Sequence, residues 1–217
     1  MNKPNNILER QVRDELESDY YVDSARIDIK ADNGKVSLSG VVFSYPERMN
    51  AEEDAWSVSG VKDVENSLTV GPLAEAVADV DIAAECAKAL DADRRVPKGA
   101  VMVRVLNGWV TLSGRVRRHV ELMVAKHDVG HVHGVLGVTS NVIIDADPIP
   151  SDVAARITSG LERSSLLHDS AINVSNSGSA VFLDGSVGSY AARQRAEDVA
   201  WNSPGVTEVV DRLEIVY

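Results

Sequence analysis

The chain has 217 residues, 44% of them hydrophobic and 25% charged, with a formal net charge of −11. That balance is ordinary for a globular protein, includes no transmembrane run, and makes the surface as a whole a poor electrostatic partner for nucleic acid or for an anionic bilayer. Cys86 is the single cysteine, so an intrachain disulfide and paired-cysteine metal or redox motifs are excluded.

One residue pattern recurs three times in one frame, without insertion or deletion. It is anchored on Gly40, Gly114 and Gly185, with a second glycine downstream of each (Gly60, Gly134, Gly205) and a leucine upstream (Leu16, Leu90, Leu161). Length alone would suggest one or two domains, but internal repetition takes precedence over length. The expected units are residues 5–70, 79–145 and 151–216, each near the lower size limit for a self-sufficient core. The middle unit carries balanced charge and the outer two are acidic.

Each unit opens with a helix, because apolar residues fall four apart: Leu8/Val12/Leu16, Ile82/Cys86/Leu90 and Val153/Ile157/Leu161. Cys86 shares its position with Val12 and Ile157, which makes it a core residue. Asp79–Asp81 and Ser151–Asp152 suit the second and third helix starts. An alternating strand follows (Ile27/Ile29, Val101/Val103, Ile172/Val174). Then come turn pairs that favour a tight hairpin, Asn33-Gly34, Asn107-Gly108 and Gly178-Ser179. The returning strand alternates as well (Val36/Leu38, Val110/Leu112, Val181/Leu183), and the anchor glycine falls in phase with its buried face. A missing side chain there implies close backbone approach, expected from a packed second helix whose Ala51, Ala125 or Ala196 is also small.

That second helix starts near Ser44, Arg118 and Ser189, and the downstream glycine leads into a last strand: Val64/Leu68/Val70, Val138/Val142/Ile144 and Val209/Leu213/Ile215. The expected fold class is α+β: three tandem αββαβ units, each a three-stranded mixed sheet covered on one face by two helices. Linkers fall at 71–78 and at 146–150, the latter stiffened by Pro148 and Pro150.

A unit of this order and size, ending its hairpin in VSLSG, VTLSG or VFLDG and its last strand in GVKDVENSLTV or GVTEVVDRLEIV, resembles the BON domain. The resemblance covers nearly the whole chain. It implies a non-enzymatic module, often in tandem copies, associated with phospholipid surfaces, envelope integrity, and osmotic or general stress. Relatives that join a BON domain to a LysM domain are linked to potassium sensing; no LysM-like segment is visible here. The N-terminal seventeen residues hold no apolar core of the kind an export signal needs, so a cytoplasmic location is expected, or a periplasmic one if that end has been trimmed.

Candidate sites are few. Arg115, Arg117, Arg118 and His119 in the middle unit could form an anion or phospholipid-headgroup site at a helix N-terminus; the plainer reading is a solvated loop balancing an acidic chain. His127, His131 and His133 are spaced so that the first two could share a helix face, but no carboxylate or cysteine evidently completes a metal set, and no metal or cofactor is expected. Trp56 and Trp201 share one repeat position, filled by Gly130 in the middle unit, and Tyr45, His119 and Tyr190 share another. These aromatics suit semi-buried packing, an inter-unit contact or a bilayer interface. There is no GxSxG, P-loop, GxGxxG after a strand, or HExxH, so catalysis is not expected. Three functions stay open: binding to a phospholipid surface, a protein–protein scaffold, and a small-cation sensor using loops such as Asp63/Glu65. Nucleic acid is not an expected partner.

Overall fold

The structure, a computed structural model, describes residues 3–71, 77–168 and 170–216. The first unit runs α1 (Asn5–Ser18), β1 (Ile27–Asp32), β2 (Lys35–Val42), α2 (Tyr45–Ser57) and β3 (Asp63–Val70). The second runs α3 (Asp79–Ala92), β4 (Val101–Leu106), β5 (Trp109–Val116), α4 (His119–Gly130) and β6 (Gly137–Ile144). The third runs α5 (Val153–Glu162), β7 (Ala171–Ser177), β8 (Ala180–Val187), α6 (Tyr190–Trp201) and β9 (Glu208–Ile215). Each unit holds one mixed three-stranded sheet in strand order one-two-three, as the repeat pattern predicts. Most of the 71–78 linker, residues 72–76, lies outside the described residues.

The central strand pairs antiparallel with its hairpin partner (Ile29↔Leu38) and parallel with the last strand (Leu38↔Asn66), and the third sheet repeats this with Val174↔Leu183 and Leu183↔Asp211. The geometry follows from the connections: a two-residue turn joins only antiparallel strands, whereas the helical crossover returns the chain parallel. Asn33 and Gly34 both take positive φ, 53° and 95°, as do Asn107 and Gly108, the backbone a primed hairpin turn demands. Each of these two turns is also held to the first helix. Asn5 Oδ1 accepts from Asn33 N at 3.0 Å, and the Asp79 carboxylate accepts from Asn107 N and Gly108 N at 2.7 and 2.9 Å. Asp79 therefore clasps the hairpin, while the residue ahead of α3, Ala78, makes no side-chain cap.

The first core gathers Leu8, Val12 and Leu16 of α1, Val36, Leu38 and Val42 of β2, and Ala51 and Ala55 of α2, all fully buried. Equivalent residues are buried in the other units, including Cys86, whose thiol burial pushes up to about 11. By packing, the chain forms two compact bodies. One contains Met1–Arg94, Met102–Ser113 and Ala125–Asn141; the other contains Arg95–Val101, Gly114–Val124 and Val142–Tyr217.

The anchor glycines are required for a different reason from the expected one. Gly40, Gly114 and Gly185 have φ of 130°, 132° and 132°, and a Cβ at each would collide with the carbonyl oxygen of Arg26, Ala100 or Ala171. These carbonyls stand at the entry to the neighbouring hairpin strand, so what closes on the glycine is a strand backbone and not the second helix. The three glycines are half-buried or exposed, not core-facing. Ala51, Ala125 and Ala196 are fully buried, and so serve the core independently. Substituting Gly40→Ala is expected to destabilise the protein by about 1–3 kcal/mol, since it combines a left-handed backbone with a backbone clash. Gly188→Ala, where a Cβ would meet nothing within 4 Å, serves as the control; equal melting temperatures for the two variants would refute this account.

Candidate functional site

The start of α4 already holds an anion of its own. Glu121, buried in the first turn, accepts from Arg117 N (2.9 Å) and Arg118 N (3.3 Å) through Oε2, and from Arg118 Nε (3.1 Å) through Oε1. Glu47 does the same at α2, accepting from Phe43 N at 2.7 Å and Asp23 N at 2.9 Å, while Ser44 Oγ caps Glu47 N. A carboxylate at this end satisfies otherwise unpaired amides and complements the helix dipole. Three of the four residues expected to form an anion site are engaged with different partners. Arg118 neutralises Glu121, Arg115 pairs with Asp145 at 3.5 Å, and His119 stacks on Trp201 with ring centroids 3.8 Å apart. Arg117 remains, exposed and making no ion pair among the described residues.

The aromatic positions become intelligible as paired contacts. In one body Tyr45 lies against Gly130, close enough that a Cβ there would sit 3.2 Å from the Tyr45 ring. In the other, His119 meets Trp201. Tyr45 and His119 share one repeat position, Gly130 and Trp201 the other, so a large ring faces a glycine in one pair and a smaller ring faces an indole in the second. A space of about 260 Å³ beside Tyr45 is lined by Phe43, Pro46, Val70, His131 and Leu136. His131 hydrogen-bonds the His127 carbonyl at 2.8 Å through Nδ1, and its ring lies 4.2 Å from that of His127. Among the described residues no three His, Cys, Asp or Glu side chains are placed to hold a metal ion.

Two carboxyl clusters lie outside the residues singled out from sequence. Burial, then the charges of Asp19, Glu15 and Glu53, push the Asp54 carboxyl up to about 7. Glu197 is also pushed up to about 7, by burial and by its hydrogen bond with Asp211. Burial acts to raise Asp211, yet hydrogen bonds from Glu197, Leu213 N–H and Arg193 hold it below its ordinary value. The first unit places Asn66 where Asp211 stands, and its amide donates to Glu52 at 2.9 Å without sharing a proton.

The outer sheet faces separate the units most clearly. On the first, Asp28, Lys30, Asp32 and Lys35 point outward, and Lys35 pairs with Glu65 at 2.9 Å and Asp63 at 3.8 Å. Those two carboxylates, candidates for a cation loop, thus already bind a lysine. The corresponding residues of the second unit are Met102, Arg104, Leu106 and Trp109, all exposed, and the indole lies across Gly137, which stands in place of Asp63. The third unit has Asn173, Ser175, Ser177 and Ala180 there. Sequence alternation singled out only the inward residues of β4. The signal for its outer face was available in VMVRVL, whose apolar residues occupy both phases of the strand.

The BON domain family matches the chain at residues 4–72, 78–146 and 151–217. The chain belongs to the BON domain family. No curated protein matches it. Among solved structures, CdsD, a structural protein of the type III secretion system of Chlamydia trachomatis, aligns at 14% identity over 97% of this chain and 92% of that one, with a TM-score of 0.26. The C-terminal domain of CdsD aligns at 14% identity over 100% of both chains, with a TM-score of 0.27. The periplasmic domain of PrgH aligns at 11% identity over 94% and 99%, with a TM-score of 0.25. Scores this low carry no functional argument. Among the described residues of this BON protein no helix is long and apolar enough to cross a membrane.

Two outcomes test this description. Gly130→Trp, which installs the residue of the other units, is expected to lower the melting temperature by colliding with Tyr45; Tyr45→Ala should restore part of the loss. A carboxyl raised in the folded state holds its proton more tightly there than when unfolded. Its stabilising contribution is therefore complete below the ordinary carboxylate range and declines as pH rises through about 7. The melting temperature is expected to fall between pH 5 and pH 8, and Asp211→Asn to reduce that fall. A fall of undiminished size in the variant would rule out the Glu197–Asp211 pair as a source.

Proposed function

We propose that this tandem BON protein is a non-enzymatic module that binds phospholipid surfaces, with the middle unit making the contact. The observation that carries the reading is the difference in charge between units. The first and third are acidic and the middle one balanced, with Arg104 in one body and Arg117 in the other, each exposed and making no ion pair among the described residues. An acidic chain approaches an anionic bilayer only through such a region, and exposed basic side chains each add about 1 kcal/mol of attraction near the surface. The family's association with phospholipid surfaces and envelope stress supports the same reading.

The test is flotation with vesicles of phosphatidylglycerol and, separately, phosphatidylcholine. Binding to the anionic vesicles that weakens several-fold with added salt, and falls further in Arg117→Glu, is the expected result. No flotation with either lipid would reject the reading and favour a protein–protein scaffold.

A further inference from the structure

We infer that the contact with the bilayer is made by the outer face of the middle sheet, where Met102, Leu106 and Trp109 surround Arg104; this rests on the phospholipid reading above. The three apolar side chains are 62%, 60% and 50% exposed. Large apolar residues scattered singly need no explanation, but here they share one side of two adjacent strands. Thr111 of β5 and Thr139 of β6 are the uncharged neighbours.

The fold does not call for this surface. Its inner face already supplies the core through Val110 and Leu112, both fully buried, and the first unit makes the same fold with Asp28, Asp32 and a Lys35–Glu65 ion pair in these places. Gly137 is part of the arrangement. With no side chain there, the indole lies over Gly137, where any Cβ would displace it.

Charge decides the occupant. The only ionisable side chain in this set is Arg104, and no carboxylate is paired with it among the described residues. A second copy of the chain would bring two such arginines together and add a further net charge of −11. An anionic bilayer instead offers phosphate to the guanidinium, at the depth where an indole and short apolar side chains are stable. Three apolar residues around one arginine suit shallow, reversible contact, not a deep anchor.

The experiment uses the full chain and phosphatidylglycerol vesicles. Met102→Glu/Leu106→Glu replaces exposed residues only, so its melting curve should match the wild type while flotation drops at least tenfold. Gly137→Asp, which displaces Trp109 without touching the apolar pair, should also weaken binding, and vesicles should blue-shift the emission of the wild type more than that of Trp109→Phe. If the wild type floats and the double variant, correctly folded, floats equally well, this face is wrong while the phospholipid reading stands. If the wild type does not float, both fail. A wild-type dimer in sedimentation that the double variant dissolves, with no flotation, would assign the face to self-association and overturn the inference.

Discussion

Each unit depends on the meeting of two backbones. In the central strand the anchor glycine takes a φ near 130°, and a carbonyl from the entry of the hairpin partner occupies the space a side chain would need. Only a residue without Cβ satisfies both conditions, because the backbone region is left-handed and the neighbouring oxygen cannot rotate away. Three independent occurrences within one chain argue that this is a requirement of the fold. The glycine lies two residues before the strand ends at Val42, Val116 or Val187, each buried. Beyond it the chain departs toward the second helix.

After this glycine, the units meet the same electrostatic demand with different side chains. The first two end the loop ahead of the second helix with a buried glutamate, Glu47 or Glu121, whose oxygens bind backbone amides; the third has no such glutamate and keeps only the serine cap that it shares with Ser44 of the first, the Ser189 hydroxyl accepting from Ala192 N at 3.1 Å. At the polar bracket between second helix and last strand, Asn66 of the first unit becomes Asp211 in the third, and an amide–carboxylate hydrogen bond becomes one between two carboxyl groups. The scaffold is constant. Its charges are not, and functional differences between units are to be sought there.

The repeat, the element order and the inward residues were legible in the sequence because they obey short-range periodicity: four-residue spacing in Leu8/Val12/Leu16, alternation in Val36/Leu38, and Asn-Gly at the turns. What the anchor glycine meets was not legible, since Arg26 and Gly40 are brought together only by strand pairing. The arginine cluster divides for a related reason. Sequence places Arg115, Arg117 and Arg118 side by side, but strand geometry sends Arg115 toward Asp145, and the helix turn brings Glu121 back onto Arg118. The outer face around Trp109 is not marked by core alternation, because apolar residues occupy both phases of VMVRVL.

The two aromatic contacts also constrain how the chain can be rearranged. Tyr45 needs a partner with no side chain and finds it in Gly130, whereas His119 leaves room for the indole of Trp201. A chain with its second and third units exchanged would set a phenol against an indole where a ring and a glycine now fit. The serial order of the copies is thus written into their packing, and a duplicated or shuffled gene would have to change both members of a pair at once to keep it.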